Sequence, residues 1–296
     1  MKLLAAIDID ELDAPANPIP QACDLAERMG ATVDLAYVDP MPVVTGFVRD
    51  PVVLSMVETE METLRKRNRA ALQEHVDGLP EAVRGIAHYR ESADPIGAVC
   101  DFTQAHEHDA IVVGTHGRRG LRRALLGSVA EKTVRLAPVP VLVARPLDPE
   151  RPRTNRVVLA LDLLEAGLDE RVATAARWAA HLGATLDLLY VAPDLQADLD
   201  LFTADAARIL SAEAERVDLH QLRKLEELSE QIPTAMRGRV HRLESRHPAD
   251  AIAEAAEGAD ILMLHTHGRT GIDHALFGSV AAQVVRLAKV PTLVLR

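Results

Sequence analysis

Apolar positions along this chain alternate between two spacings. Leu3–Ile7 is a short apolar run of strand length, and Ala22–Met29 places apolar residues at helical spacing. Gly30 follows directly, as a helix stop does. Thr32–Val38 then predicts a strand, Val57–Val76 a charged amphipathic helix and Ile86–Tyr89 a third strand. Ile96–Ala105 reads as a helix, Ala110–Val113 as an apolar strand, Ser128–Leu136 as a helix and Val139–Val143 as a last strand. The remainder of the chain repeats this order and ends on Thr292–Leu295. Strand and helix in alternation imply a parallel sheet with helices on both faces. The unbroken apolar runs Ile111–Val113 and Ile261–Leu264 suit strands covered on both sides. The expected fold class is therefore α/β, as doubly wound domains.

The second half is a copy of the first. Gly30-Ala-Thr-Val-Asp-Leu-Ala-Tyr-Val38 matches Gly183-Ala-Thr-Leu-Asp-Leu-Leu-Tyr-Val191. Thr115-His-Gly-Arg118 recurs as Thr266-His-Gly-Arg269, Gly127-Ser-Val129 as Gly278-Ser-Val280, and Val134-Arg-Leu-Ala137 as Val285-Arg-Leu-Ala288. The opening runs agree too, Leu4-Ala-Ala-Ile-Asp8 with Val158-Leu-Ala-Leu-Asp162. The offset stays near 150 residues, far above the period of a solenoid, so each copy is a full domain. The expected domains are 1–147 and 148–296. Pro146, Pro149 and Pro152 mark an extended linker over Arg145–Arg153.

Composition narrows the function. Aromatic residues make up 3% of the 296, so the cores must be aliphatic and stacking platforms for single-stranded nucleic acid are scarce. Residues 1–148 hold 16 Lys and Arg against 22 Asp and Glu, and residues 149–296 hold 17 against 22. Neither half carries the basic balance that duplex binding needs, so no nucleic-acid partner is expected. Cys23 and Cys100 are too few for a disulfide framework and read as core thiols. The N-terminal apolar run is interrupted at Asp8, which does not suit a signal peptide, and no run reaches the roughly 18 apolar residues of a membrane span. A cytoplasmic protein with no membrane association is expected.

The candidate chemistry lies in a glycine loop. Ala110–Val113 runs into Gly114-Thr-His-Gly117, nine residues follow, and Gly127-Ser128 opens the next helix. Glycine lets backbone approach a ligand closely. Ser128 is an N-cap type of residue, and a helix N-terminus favours an anion. Ligands of open parallel sheets sit beyond the carboxyl ends of the strands at the topological switch point. Asp8 and Asp162 end their first strands, where a carboxylate can accept a ribose hydroxyl. The same loop can instead be a plain connection. There is no G-x-x-x-x-G-K-[ST] and no G-x-G-x-x-G, which argues against a P-loop and against a dinucleotide site.

The spacing Gly114-Thr-His-Gly117, nine residues, Gly127-Ser128, followed by Pro138-Val-Pro-Val-Leu-Val143, resembles the universal stress protein family. The likeness spans both halves, as in a tandem two-domain member. It implies Rossmann- or flavodoxin-like domains, each with a five-stranded parallel sheet, and an adenine nucleotide, ATP or a relative, as ligand. Carried onto this sequence, Asp8 would meet the ribose or base. Val38 and Val113 would line the base pocket, and Gly114, Gly117, Gly127, Ser128 and Val129 would hold ribose and phosphates. In the second half the matching positions are Asp162, Val191, Leu264, Gly268, Gly278, Ser279 and Val280. His265 stands where the first glycine should be, so the second site is expected to be the weaker.

Other residues are ambiguous. Arg118, Arg119, Arg122 and Arg123 fall in the first loop and either face phosphates or lie in solvent; the second loop keeps only Arg269. His106-Glu-His108 and His265-Thr-His267 lack the spacing of a zinc face, so no protein-only metal site is expected, and Mg²⁺ would enter only with phosphates. Ser128 and Ser279 sit in no nucleophile elbow; helix capping and phosphate contact are their expected roles, and no catalytic residue is assigned. The reading is a stress-response nucleotide binder; a slow Mg²⁺-dependent ATPase and a scaffold acting through protein partners are the alternatives. The family resemblance also implies that the two halves pair through their last strands, as a pseudo-twofold couple, and homo-oligomers are possible.

Overall fold

The computed structural model describes residues 1–12, 14, 17–40, 50–115, 128–146, 150–194, 202–266 and 278–296. The chain divides into two compact units, Met1–Asp148 and a second beginning at Pro149.

The first unit runs β1 Lys2–Ala6, α1 Pro18–Met29, β2 Thr32–Pro40, α2 Pro51–Asp77, β3 Arg84–Ser92, α3 Pro95–Ala105, β4 Ala110–Val113, α4 Ser128–Leu136 and β5 Val141–Val143. Its strands are all parallel, in the order β3-β2-β1-β4-β5. The second unit runs β6 Arg156–Leu161, α5 Leu168–His181, β7 Thr185–Ala192, α6 Ala204–Glu230, β8 Arg237–Glu244, α7 Pro248–Ala255, β9 Ile261–His265, α8 Ser279–Leu287 and β10 Thr292–Leu295. Its own order, β8-β7-β6-β9-β10, is the same and also parallel. This is the doubly wound α/β fold that the alternation predicts, twice over. The connection from the first strand reverses direction between β1 and β4, and between β6 and β9, so each unit has one switch point there.

Local chemistry explains the element ends. Asn17 accepts the Ile19 N–H at 2.9 Å and caps α1, with Pro18 at its first position. Gly30 closes α1 at φ 60°, a conformation costly for a residue with Cβ. Asp50 accepts from Val52 and Val53 and starts α2 at Pro51, six residues before the apolar spacing becomes visible at Val57. β5 begins at Val141, later than the expected Val139, because Pro138 and Pro140 have no N–H to give a ladder; the Pro140 carbonyl still accepts from Ile111 at 3.0 Å.

The cores are aliphatic. Leu3, Leu4, Leu35, Ile111 and Leu142 are fully buried in the first unit; Leu159, Leu186, Leu188 and Leu189 hold that place in the second. Each such side chain contributes roughly 1.5–3 kcal/mol by leaving water. Every residue of β4, β5 and β10 is buried, as two covered faces require. Cys23 is buried and Cys100 only half-buried, so one of the two is a core thiol.

The second strand of each unit carries one buried acid. At Asp34 the β2–β3 register shifts between Val33 and Leu35, and at Asp187 the β7–β8 register shifts between Leu186 and Leu188. Asp34 Oδ1 accepts the Ile86 N–H at 2.9 Å, and Asp187 Oδ1 accepts the Arg239 N–H at 2.8 Å. The carboxylates thus satisfy the backbone that the bulge leaves unpaired. Gly85 and Gly238 make room: a Cβ on either would run into the aspartate and into the carbonyl of Val33 or Leu186.

Candidate functional site

At the carboxyl edge of the first sheet, β1 and β4 lie side by side, with Ala6 in register with Val113. Asp8 leaves β1 half-buried, and its Oδ1 accepts the Asp10 N–H at 3.2 Å within the turn that follows the strand. Val113 is buried at the end of β4 and Gly114 follows it directly. Val38 is half-buried near the end of β2, and Val129 is exposed on the first turn of α4, which Ser128 opens. The strand ends therefore bring Asp8, Val113 and Gly114 to one switch point. Gly117, Gly127 and the four loop arginines lie outside the described residues.

The second unit repeats the frame with one change. Asp162 accepts the Leu164 N–H at 3.0 Å in the same turn as Asp8, but is exposed. Val191 is half-buried on β7 and Leu264 buried on β9. Ser279 is the first residue of α8; Gly278 occupies the N-cap, with no side-chain cap. The expected capping by Ser279 is thus corrected: Ser279 lies one position inside the helix, and the N-cap position is held by Gly278, which has no side-chain oxygen to accept from the free N–H groups. Val280 is exposed beside it, and Gly268 lies outside the described residues.

His265 closes β9 where the first unit has Gly114. Its Nε2 lies 3.1 Å from the Arg171 carbonyl oxygen in the first turn of α5, so Nε2 carries the proton and donates. Burial pushes its pKa down to about 4, only partly opposed by that hydrogen bond, and the nearby Arg171 charge acts in the same direction as burial. At neutral pH the ring is uncharged. It reaches from the strand end toward the helix that follows β6, across the mouth of the switch point.

The amino edge of the first sheet holds a second group of polar side chains that the sequence does not announce. Asp34 Oδ2 lies 2.9 Å from His88 Nε2 and 3.1 Å from His108 Nε2. His88 comes from the middle of β3 and His108 from the turn after α3, whose N–H donates to the Thr103 carbonyl. All three side chains are almost fully buried. Burial alone would raise the Asp34 pKa, but the hydrogen bonds of His108, His88 and Ile86 outweigh it and hold the carboxyl well below its usual range. Lys2 stands at the rim, its ammonium 3.7 Å from the same oxygen. Asp34 sits inside the repeated segment Gly30–Val38 and its recurrence as Asp187 is legible; His88 is 54 positions away and only the fold joins them.

Two parallel α/β units with the same strand order, each with one switch point, define a duplicated doubly wound protein. The model of the universal stress protein family matches residues 1–145 and again residues 153–296, and the chain belongs to that family. Universal stress protein Rv2005c of Mycobacterium tuberculosis is 28% identical over 194 residues, which are 65% of this chain and 63% of that protein. The match thus spans less than two thirds of that relative's length. A universal stress protein of Mycolicibacterium smegmatis is 27% identical over 261 residues, 86% of this chain and 84% of its own. Among solved structures, the functionally unknown protein PA1789 of Pseudomonas aeruginosa PAO1 has a TM-score of 0.63 at 20% identity, covering 99% of this chain and 92% of that one. A universal stress protein of Archaeoglobus fulgidus DSM 4304 has a TM-score of 0.58 at 17% identity, covering 100% and 98%. These structures share the fold. Among the described residues no helix is long and apolar enough to cross a membrane.

Proposed function

We propose that this chain is a cytoplasmic stress-response protein that binds an adenine nucleotide, ATP or a close relative, chiefly in its first unit. The observation that carries this reading is the difference at one position of otherwise matching switch points. Gly114 leaves β4 with no side chain, whereas His265 puts an imidazole over the equivalent strand end. The ribose would meet Asp8 and the base would lie toward Val38 and Val113. The phosphates would lie along the loop from Gly114 through Gly117 to Gly127 and the start of α4 at Ser128 and Val129. Any Mg²⁺ would ride on the phosphates. The second set, Asp162, Val191, Leu264, Gly268, Gly278, Ser279 and Val280, would bind more weakly. The pairing of the two halves through Val139–Val143 and Thr292–Leu295 is carried over from the family resemblance as part of this reading.

Protein purified without added nucleotide, heated and analysed by chromatography should release ATP, ADP or AMP at about one equivalent per chain. Gly117→Val should abolish that release with the circular-dichroism melt unchanged, because a β-branched side chain would fill the space a phosphate or ribose needs. No nucleotide from the parent chain, and none bound on titration with ATP, would leave the scaffold reading in place.

A further inference from the structure

We propose that Asp34, His88 and His108 of the first unit form a binding site for a single divalent transition-metal ion of the Zn²⁺ class. The Asp34 carboxylate and the two Nε2 atoms converge from β2, β3 and the turn before β4, and their ligand atoms all lie within 4.8 Å of one another. Donors around a tetrahedral zinc with bonds of about 2.0–2.1 Å stand roughly 3.3 Å apart, so small ring movements bring this set to ligand geometry. Two imidazoles and one carboxylate, with no thiolate, suit Zn²⁺ and its first-row neighbours rather than Mg²⁺ or Ca²⁺, which take oxygen donors. Three protein donors leave a fourth position for water.

The duplicated unit provides an internal comparison. Its Asp187 pins the same bulge, so that task needs only the aspartate and its Oδ1. His241 corresponds to His88 and lies 3.3 Å from Asp187 Oδ2. The position of His108, however, is Ala259, and Arg156 takes the other approach to the carboxylate at 3.3 Å. A Cβ on Gly258 would meet the Arg156 guanidinium, which places that group against the very turn that carries His108 in the first unit. Where the second unit meets its carboxylate with one imidazole and an arginine, the first unit uses two imidazoles, and an imidazole, unlike a guanidinium, can ligate a metal ion. His108 also carries a buried Nδ1 with no hydrogen-bond partner, so nothing on the far side of the ring fixes its tautomer. To ligate an ion, the ring must pass to the Nδ1–H tautomer, so that the proton Nε2 donates to Asp34 leaves that nitrogen and its lone pair faces the ion in place of the hydrogen bond.

Lys2 is the resident cation at this place. It differs from Arg156 in being a flexible point charge at the rim, and an arriving ion has to displace it. His106, exposed and packed on the His88 ring at 4.3 Å between centroids, stands at the same rim.

The test uses the untagged full chain, stripped with a chelator and titrated with Zn²⁺ and Co²⁺. One equivalent of Zn²⁺ should bind, and Co²⁺ should give the visible absorption of a low-coordinate site. His108→Ala, which installs the second unit's residue, should weaken binding by more than the roughly 10–100-fold typical of losing an outer partner. His241→Ala should leave the stoichiometry and affinity unchanged, and Lys2→Met should tighten binding by removing the competing charge. If His108→Ala does not fold by circular dichroism, His88→Gln is read in its place with the same expectation. A wild-type chain that binds neither ion at micromolar concentration, or one whose binding survives both His108→Ala and His88→Gln, overturns the proposal. Nucleotide release can fail or succeed without affecting this readout.

Discussion

The imidazole of His265 donates to the carbonyl oxygen of Arg171 at 3.1 Å, joining the end of β9 to the first turn of α5. Arg171 in turn pairs with Glu165 at 2.9 Å, in the turn that follows Asp162. The side chain that replaces a glycine thus has a hydrogen bond of its own, which must break before the ring can swing aside for a ligand. The first unit has no side chain at the equivalent Gly114.

A reciprocal exchange tests this directly. Gly114→His should remove nucleotide binding from the first unit, and His265→Gly should raise the bound nucleotide from about one to about two per chain. Titration calorimetry with ATP on both variants checks the pair. Two equal sites in the parent chain would show that His265 does not obstruct the second.

The second prediction concerns pH. The His265 pKa falls from 6.5 to about 4 on folding, through burial first. The unfolded chain therefore holds more protons between those values, and stability rises with pH across that window. The contribution of the neutral ring is complete above about pH 6.5 and is progressively lost as pH falls toward 4. It amounts to at most about 3 kcal/mol, from 1.36 kcal/mol per unit. Denaturant melts of parent and His265→Gln, compared at pH 7.5 and pH 4.5, should diverge at the higher pH and converge at the lower. Parallel curves across the range would mean that the ring is no less readily protonated folded than unfolded.

Much of this was legible in the residues. The duplication is written in Gly30–Val38 and Gly183–Val191, and alternating spacing yields the strand–helix order. The substitution of Gly114 by His265 shows as a break in a repeated loop. Element starts were harder. Asp50 and Pro51 launch α2 by capping, which leaves no trace in hydrophobic spacing. The Asp34 cluster was hidden for a different reason. Its members come from two strands and a turn, and their meeting depends on strand order and a bulge rather than on neighbouring positions. In sequence His106-Glu-His108 is only a local pair, whereas in the fold His108 meets Asp34 and His88, 74 and 20 residues away.

Asp34 itself should make the first unit acid-sensitive. Its folded pKa lies well below that of the unfolded chain, so the stabilisation is present above the ordinary carboxyl range near 4 and is lost as pH falls further. Asp34→Asn keeps an acceptor for the Ile86 N–H but removes the charge that both imidazoles face. In chelator-treated protein the variant should be less stable at pH 7 and lose less on acidification than the parent. Hydrogen exchange at the Ile86 amide, with global melts, checks both. Equal acid dependence of parent and variant would show that the carboxylate charge is not what holds β2 and β3 together here.

The glycine beside that aspartate supplies the last prediction. Gly85→Ala places a Cβ against Asp34 Oδ1 and the Val33 carbonyl. Neither can retreat. The carboxylate is held by Ile86 and two histidines, and the carbonyl belongs to a buried strand. Something must shift, at a cost of about 1–3 kcal/mol, as for overpacking a well-filled core. Gly238→Ala should cost a similar amount in the second unit, where Asp187 and the Leu186 carbonyl stand in the same places. Gly97→Ala is the contrast. Its Cβ would meet only the Asp94 carboxylate, a side chain that can turn away. The loss of that helix cap, typically about 1 kcal/mol, is then offset by a similar gain from alanine inside a helix. Denaturant midpoints should therefore fall for Gly85→Ala and Gly238→Ala and stay near the parent for Gly97→Ala. A Gly85→Ala chain as stable as the parent would show that β2 and β3 separate at the bulge with no penalty, and that the Asp34 cluster is looser than its hydrogen bonds imply.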